Sequence, residues 1–179
     1  MKKINLSKKT VRPSKKTVRA QLLELFYQFP QQSFTVREIG RKLKVGHSSV
    51  QYNLKQLKED GIISVDNTWK DSWQNRFIKS QYYLIKIIES GLVDYLDQEL
   101  AAKSIIVFGS FRKGESIKGS DLDIFVECAK EKKLNLRKFE LKIGAPVQLF
   151  TKPNINLLPK TLLNNVINGI KLKGYFTIK

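Results

Sequence analysis

The most constraining feature of this chain is one short string. The apolar run Ile105-Ile106-Val107-Phe108 leads directly into Gly109-Ser110, and ten residues later comes Asp121-Leu122-Asp123-Ile124-Phe125-Val126. The first run has the composition of a buried strand. The second alternates charged and apolar positions before becoming wholly apolar, which puts both carboxylates on one side of one strand end. Side chains two apart on a strand lie about 6–7 Å from each other. That separation lets both acids reach one Mg2+ ion, or grip two ions a few Å apart. Paired acids on a strand edge are often only solvated, so the glycine-serine turn and the spacing carry the specificity.

The full string, Val107-Phe108-Gly109-Ser110, ten residues, then Asp121-Leu122-Asp123 in apolar flanks, closely resembles the GSx10DxD motif of the minimal nucleotidyltransferases in the DNA polymerase β superfamily. The resemblance covers about residues 101–179. It implies a small α/β domain that binds ATP or another nucleoside triphosphate with Mg2+ or Mn2+ and transfers the nucleoside monophosphate to a hydroxyl. It assigns Gly109 and Ser110 to the nucleotide and Asp121 and Asp123 to metal and catalysis. The chemistry agrees: a glycine permits close backbone approach, and a serine offers its hydroxyl and N–H to phosphate oxygens. Arg112, Lys113 and Lys118, in the spacer, are candidates for steering the nucleotide or are ordinary loop charges.

One position departs from the family. A third carboxylate is expected on a later strand, here Pro146 to Phe150 after a helix from Lys130 to Ile143, and its central polar residue is Gln148. An amide oxygen can ligate a metal, so Gln148 joins the candidate ligands, but it carries no charge and accepts no proton near neutral pH. Glu127 lies four residues beyond Asp123, about 13 Å along a strand, too far to share its ion. Glu140 sits in the expected helix and needs an unusual placement to help. A helix from Leu157 to Gly169 and an extended piece from Lys171 to Ile178 complete this half.

Charge directs attention to the other half. The chain carries 33 Lys+Arg against 16 Asp+Glu, net +17, and such an excess favours a polyanionic partner. Residues 1–86 hold 18 basic and 6 acidic side chains, net +12, whereas 87–179 hold 15 and 10, net +5. Ser7-Lys8-Lys9-Thr10-Val11-Arg12 recurs as Ser14-Lys15-Lys16-Thr17-Val18-Arg19, and a basic flexible arm is expected over 1–13. One cysteine, Cys128, and one histidine, His47, exclude a disulfide framework and a zinc site held by soft ligands.

From Ser14 as N-cap, Val18, Leu22, Leu25, Phe26 and Phe29 fall on one helical face, and Pro30 ends it. Thr35-Val36-Arg37-Glu38 has the form of a capping box, opening a second helix that Gly46 breaks. A third helix from His47 buries Val50, Leu54 and Leu57 and ends at Gly61. Ile62 to Val65 and Phe77 to Leu84 have strand-forming composition. Three helices followed by a strand pair resemble the winged helix-turn-helix family over residues 14–86. That resemblance implies double-stranded DNA as partner, with Ser48, Gln51, Tyr52 and Lys55 on the outer face of the third helix, and Lys70 and Arg76 in a wing from Asp66 to Arg76 that includes Trp69 and Trp73.

The expected fold is therefore α+β: a basic arm (1–13), a winged helix-turn-helix (14–86), a linker helix (87–102) and a small nucleotidyltransferase-fold α/β domain (103–179). The linker helix carries Leu92, Tyr95, Leu96 and Leu100 on one side, to join the domains rigidly or meet a second copy. The primary expectation is a DNA-binding protein with a metal-dependent transferase whose acceptor is a hydroxyl of a protein or nucleic acid. By resemblance only, a HEPN-type toxin is one protein acceptor. The alternative is a DNA-binding regulator whose transferase domain senses nucleotide or has lost activity. With no long apolar span and no signal peptide, a cytoplasmic protein without membrane partner is expected, and a homodimer would suit a palindromic DNA site.

Overall fold

The computed structural model describes residues 16–129 and 132–178. The basic arm, the tandem repeat's first copy and Ser14 lie outside the described residues. The N-terminal half begins with α1 (Val18–Gln28), capped by Thr17, whose hydroxyl accepts from the Ala20 N–H. Thr17 thus takes the cap position expected of Ser14. α2 (Val36–Leu43) opens with the expected capping box: Thr35 Oγ1 accepts from Glu38 N–H, and Glu38 Oε2 accepts from Thr35 N–H at 2.7 Å. α3 (His47–Glu59) follows, with Val50, Leu54 and Leu57 buried as expected.

The strand pair does not form. Ile63 makes a single antiparallel bridge to Trp69 around a turn at Ser64 to Thr68, and Phe77 to Leu84 belongs to α4 (Trp73–Ser90). The physical reason is burial at helical spacing: Asn75, Lys79, Ser80, Tyr83, Leu84, Ile87 and Ser90 all turn inward, and tertiary packing overrides the strand-forming composition. Trp69, expected in a wing over DNA phosphates, is buried, its ring edge-on to Tyr27 at 5.0 Å.

The expected linker helix is also divided. α4 ends at Ser90, Gly91 adopts a left-handed conformation, and α5 (Leu92–Leu100) begins anew. The 86/87 boundary therefore falls inside α4. On α5, Leu92, Leu96 and Leu100 are buried within this chain, so that stripe is not available to a second copy.

The C-terminal half is a four-stranded mixed sheet in the order β3-β2-β1-β4. β1 (Ser104–Val107) pairs antiparallel with β2 (Leu122–Glu127) and with β4 (Ile170–Gly174), while β2 runs parallel to β3 (Val147–Lys152). α6 (Gly109–Lys113) follows β1, α7 (Arg137–Ile143) precedes β3, and a 3-10 turn (Ile155–Leu157) leads to α8 (Lys160–Ile167). α7 is shorter than the helix expected from Lys130, because 132–136 are not helical. The last helix likewise starts later, after Pro159, and only 170–174 of the final extended piece form a strand.

One apolar cluster runs from Leu22, Phe26 and Leu57 through Tyr83, Ile87 and Leu96 to Ile105, Leu122 and Ile124. α4 is its middle wall, packing on α5, α6 and α7. No helix among the described residues is long and apolar enough to cross a membrane.

Candidate functional site

The end of β1, the start of β2 and the start of β3 meet at one end of the sheet. Register fixes this: Val107 pairs with Ile124, so Phe108 stands opposite Asp123, and the Phe108 N–H donates to the Asp123 carbonyl at 3.1 Å. Asp123 is in turn the register partner of Gln148 on β3. The Leu122 N–H to Pro146 carbonyl bond, 2.8 Å, locks that register just before the strands begin. Gln148 is exposed beside Asp123, where a third carboxylate is expected and an amide stands instead.

Gly109 makes the geometry possible. Its φ of 69° is left-handed, and a Cβ there would lie 2.0 Å from Asp123 Oδ2. The Asp123 carboxylate thus rests directly against the Gly109 backbone, and only glycine leaves that space. Ser110, half-buried, is the second residue of α6. Asp121 is exposed one residue before β2 begins. Burial first, and then the negative charge of Asp121, push the Asp123 carboxyl above its ordinary pKa. The two acids are therefore close enough to repel each other. Among the described residues neither has an ion-pair partner, and no three of His, Cys, Asp and Glu converge. Two adjacent carboxylates without a protein cation are the donor set that suits a hard divalent ion, so the residues present fit the metal that the motif implies.

The spacer between Ser110 and Asp121 is held along most of its length. The Ser80 hydroxyl donates to the Arg112 carbonyl at 2.8 Å. A Cβ at Gly114 would lie 2.0 Å from the Arg76 carbonyl oxygen, so the spacer touches α4 there without a side chain between them. Arg76 bonds Asp71 through two nitrogens and Glu115 at 2.9 Å. The buried Lys79 ammonium donates to the carbonyls of Ser116 and, at 3.0 Å, Tyr27. Finally the Lys118 N–H donates to the Gln28 carbonyl at 2.9 Å, tying the spacer to α1. Lys118 Nζ lies over the Phe29 ring at 5.5 Å, whereas Arg112 and Lys113 are exposed in the last turn of α6.

The other acids are occupied elsewhere. Glu127 is buried and bound to Lys103 at 2.8 Å. Glu140 Oε1 accepts from the Val147 N–H at 3.0 Å, bracing β3 next to Gln148. Lys79 is thus a bracing residue that sequence reasoning missed, since no local pattern marks a side chain whose partner lies in another element, while Glu140, weighed in sequence as a substitute acid, braces β3 instead.

In the N-terminal half, Ser48, Gln51, Tyr52 and Lys55 are all exposed on one face of α3, opposite its buried side. Lys55 Nζ stands 3.8 Å from Glu59. Lys70 is exposed just after the Ile63–Trp69 bridge, but Arg76 is on α4 with its guanidinium committed to two carboxylates, so it is not brought to that face as a free cation.

No curated protein and no solved structure matches this chain. A family model does: residues 89–172 match the one described as "Nucleotidyltransferase domain". That span takes in α5, all of β1 and β2, the glycine-serine turn, both aspartates and Gln148, so the similarity to a nucleotidyltransferase domain covers just under half of the chain and includes the whole candidate site.

Proposed function

We propose that the protein transfers a nucleoside monophosphate from ATP or another nucleoside triphosphate to a hydroxyl of a protein or nucleic-acid acceptor, and binds duplex DNA through its N-terminal half. The observation that carries the transferase reading is the Asp123 carboxylate seated against Gly109 beside Asp121, with no cationic side chain among the described residues to neutralise the pair. Asp121, Asp123 and the Gln148 amide oxygen would hold Mg2+ or Mn2+. When bound, such an ion offsets phosphate charge and favours departure of pyrophosphate. Gly109 and Ser110 take the phosphates by close backbone approach and hydroxyl donation. The acceptor oxygen then attacks the α-phosphorus in line as the bond to pyrophosphate breaks. Gln148 cannot receive the acceptor's proton, which makes this a slow enzyme unless the acceptor brings its own base.

The DNA reading is supported by the exposed α3 face of Ser48, Gln51, Tyr52 and Lys55, with Lys70 nearby in sequence after the turn, and by the +12 charge of residues 1–86. A second functional reading, a DNA-binding regulator whose transferase domain only senses nucleotide, is favoured by Gln148 standing in register with Asp123.

Incubation with labelled triphosphates, Mg2+ or Mn2+ and candidate acceptors separates them. Transfer that is lost in Asp121→Asn and raised in Gln148→Asp supports the enzyme. Duplex binding that falls steeply with salt and ignores Asp121→Asn, with no transfer under any condition, supports the regulator.

A further inference from the structure

The open side of α4 carries Trp73, Phe77, Ile78, Ile85 and Ile88, each between 47% and 75% exposed. At 3.6 residues per turn these five fall within an arc of about 140°. The arc's remaining positions are Gln74, Gln81 and the buried Leu84. No charged side chain stands in it, although 27% of the chain is charged. The five side chains expose on the order of 600 Å², the upper end of what one patch on a monomer carries and most of the ~800 Å² that each partner contributes to a standard interface.

The charged residues of α4 do not serve a lipid-binding role. An interfacial membrane helix presents Lys and Arg beside its apolar stripe. Here Arg76 is bound to Asp71 and Glu115, Lys79 is buried, and Lys86 is bound to Glu24 and to the Ile143 carbonyl. The exposed charge next to the stripe is the acid Glu89. Two copies at net +17 repel over most of their surface, and this stripe is where they meet without opposing charge.

The pattern is also complementary to itself. We propose that α4 pairs two copies of this chain antiparallel about a two-fold axis at Gln81. Phe77 then faces Ile85 of the partner, Gln74 faces the partner's Ile88 and Trp73 lies beside the partner's Ile88 and the partner's Glu89, so the aromatic Phe77 of each copy covers Ile85 of the other. Large side chains pack on smaller ones on both sides of the axis. At the axis the two Gln81 amides, each donor and acceptor, satisfy one another. The interface is independent of the transferase reading.

Sedimentation velocity of the full chain at micromolar concentration and moderate salt is the test. The wild type is expected to dimerise, and Phe77→Glu and Ile85→Lys each to sediment as monomers with unchanged far-UV circular dichroism, since both side chains are exposed. An equimolar mixture of the two variants is expected to associate at least about tenfold more tightly than either alone. In the mixed pair the introduced carboxylate faces the introduced ammonium on one side of the axis, and the native Phe77 to Ile85 contact survives on the other. A wild type that stays monomeric, including one that instead floats on anionic vesicles, overturns the proposal. A dimer that persists in both variants, or variants that fail to rescue each other, overturns it as well.

Discussion

Two regions of this molecule hold charge out of water, and they do so in opposite ways. At the seam between the halves, Lys79 is buried but its ammonium is surrounded by acceptors: the carbonyls of Tyr27 and Ser116, with the rings of Tyr27 and Trp69 at 5.7 and 5.9 Å. At the strand end, Asp123 is half-buried beside a second acid and has no ion-pair partner among the described residues. The seam gives its charge two protein acceptors, although burial still pushes Lys79 down to about 8. The strand end offers its charge no cation among the described residues, which is what the proposed metal site requires. Burial disfavours both charges, but only the Lys79 ammonium has acceptors within the protein.

That contrast can be broken by mutation, and the largest effect belongs at the strand end. Asp123→Asn should lower nucleotidyl transfer by more than the ~10–100-fold that loss of a mere supporting group costs a metal site. It should leave the melting temperature unchanged or higher, because it removes a repelling charge. A radiolabel transfer assay beside a thermal melt reads both. Gly109→Ala should lose transfer as well, but with a stability cost of at least about 1–2 kcal/mol for a left-handed residue bearing a Cβ, to which the clash with Asp123 adds. The melt should therefore shift down, which distinguishes it from Asp123→Asn.

The seam should respond the other way. Lys79→Met leaves two buried carbonyls unpaired, at about 1–3 kcal/mol, so the melting temperature should fall by roughly 2–4 °C per kcal/mol for a chain of this size. Magnesium-dependent nucleotide binding, followed by calorimetry at a temperature where the variant is folded, should change less than in Asp123→Asn.

The smallest effect sharpens the comparison through pH. Burial pushes Lys79 down to about 8 from an ordinary 10.5. Above pH 8 the folded state has begun to shed a proton that the unfolded chain still binds, so this group's contribution to stability rises with pH towards 10.5. Tyr27, pushed up to about 12 by burial, acts oppositely, but only above pH 10. Denaturant midpoints between pH 8 and 10 should therefore rise in the wild type relative to Lys79→Met.

Much of the C-terminal site was legible in sequence because its parts are local. The apolar run before Gly109, the alternation at Asp121 to Asp123 and the amide at 148 each follow from strand periodicity, and parallel pairing places Gln148 opposite Asp123. The capping box at Thr35 and the buried face of α3 were equally readable. The second strand misled because Phe77 to Leu84 is rich in aromatic and branched residues, a composition that fits a strand until the inward positions 79, 80, 83, 84 and 87 are seen to follow helical spacing. Lys79 was opaque for a deeper reason. Nothing near it in the chain announces burial, since its acceptors lie 52 and 37 residues away.

The course of α4 has a practical consequence for anyone dissecting this protein. A fragment cut at residue 86 would sever a continuous helix in its last turns, stripping the N-terminal piece of Ile87 and the C-terminal piece of the wall that supports α6 and α7. A cut after Ser90, where Gly91 ends α4, would leave that helix whole. Any change in α1 to α3 is felt through α4, which also borders the spacer at Gly114 to Lys118.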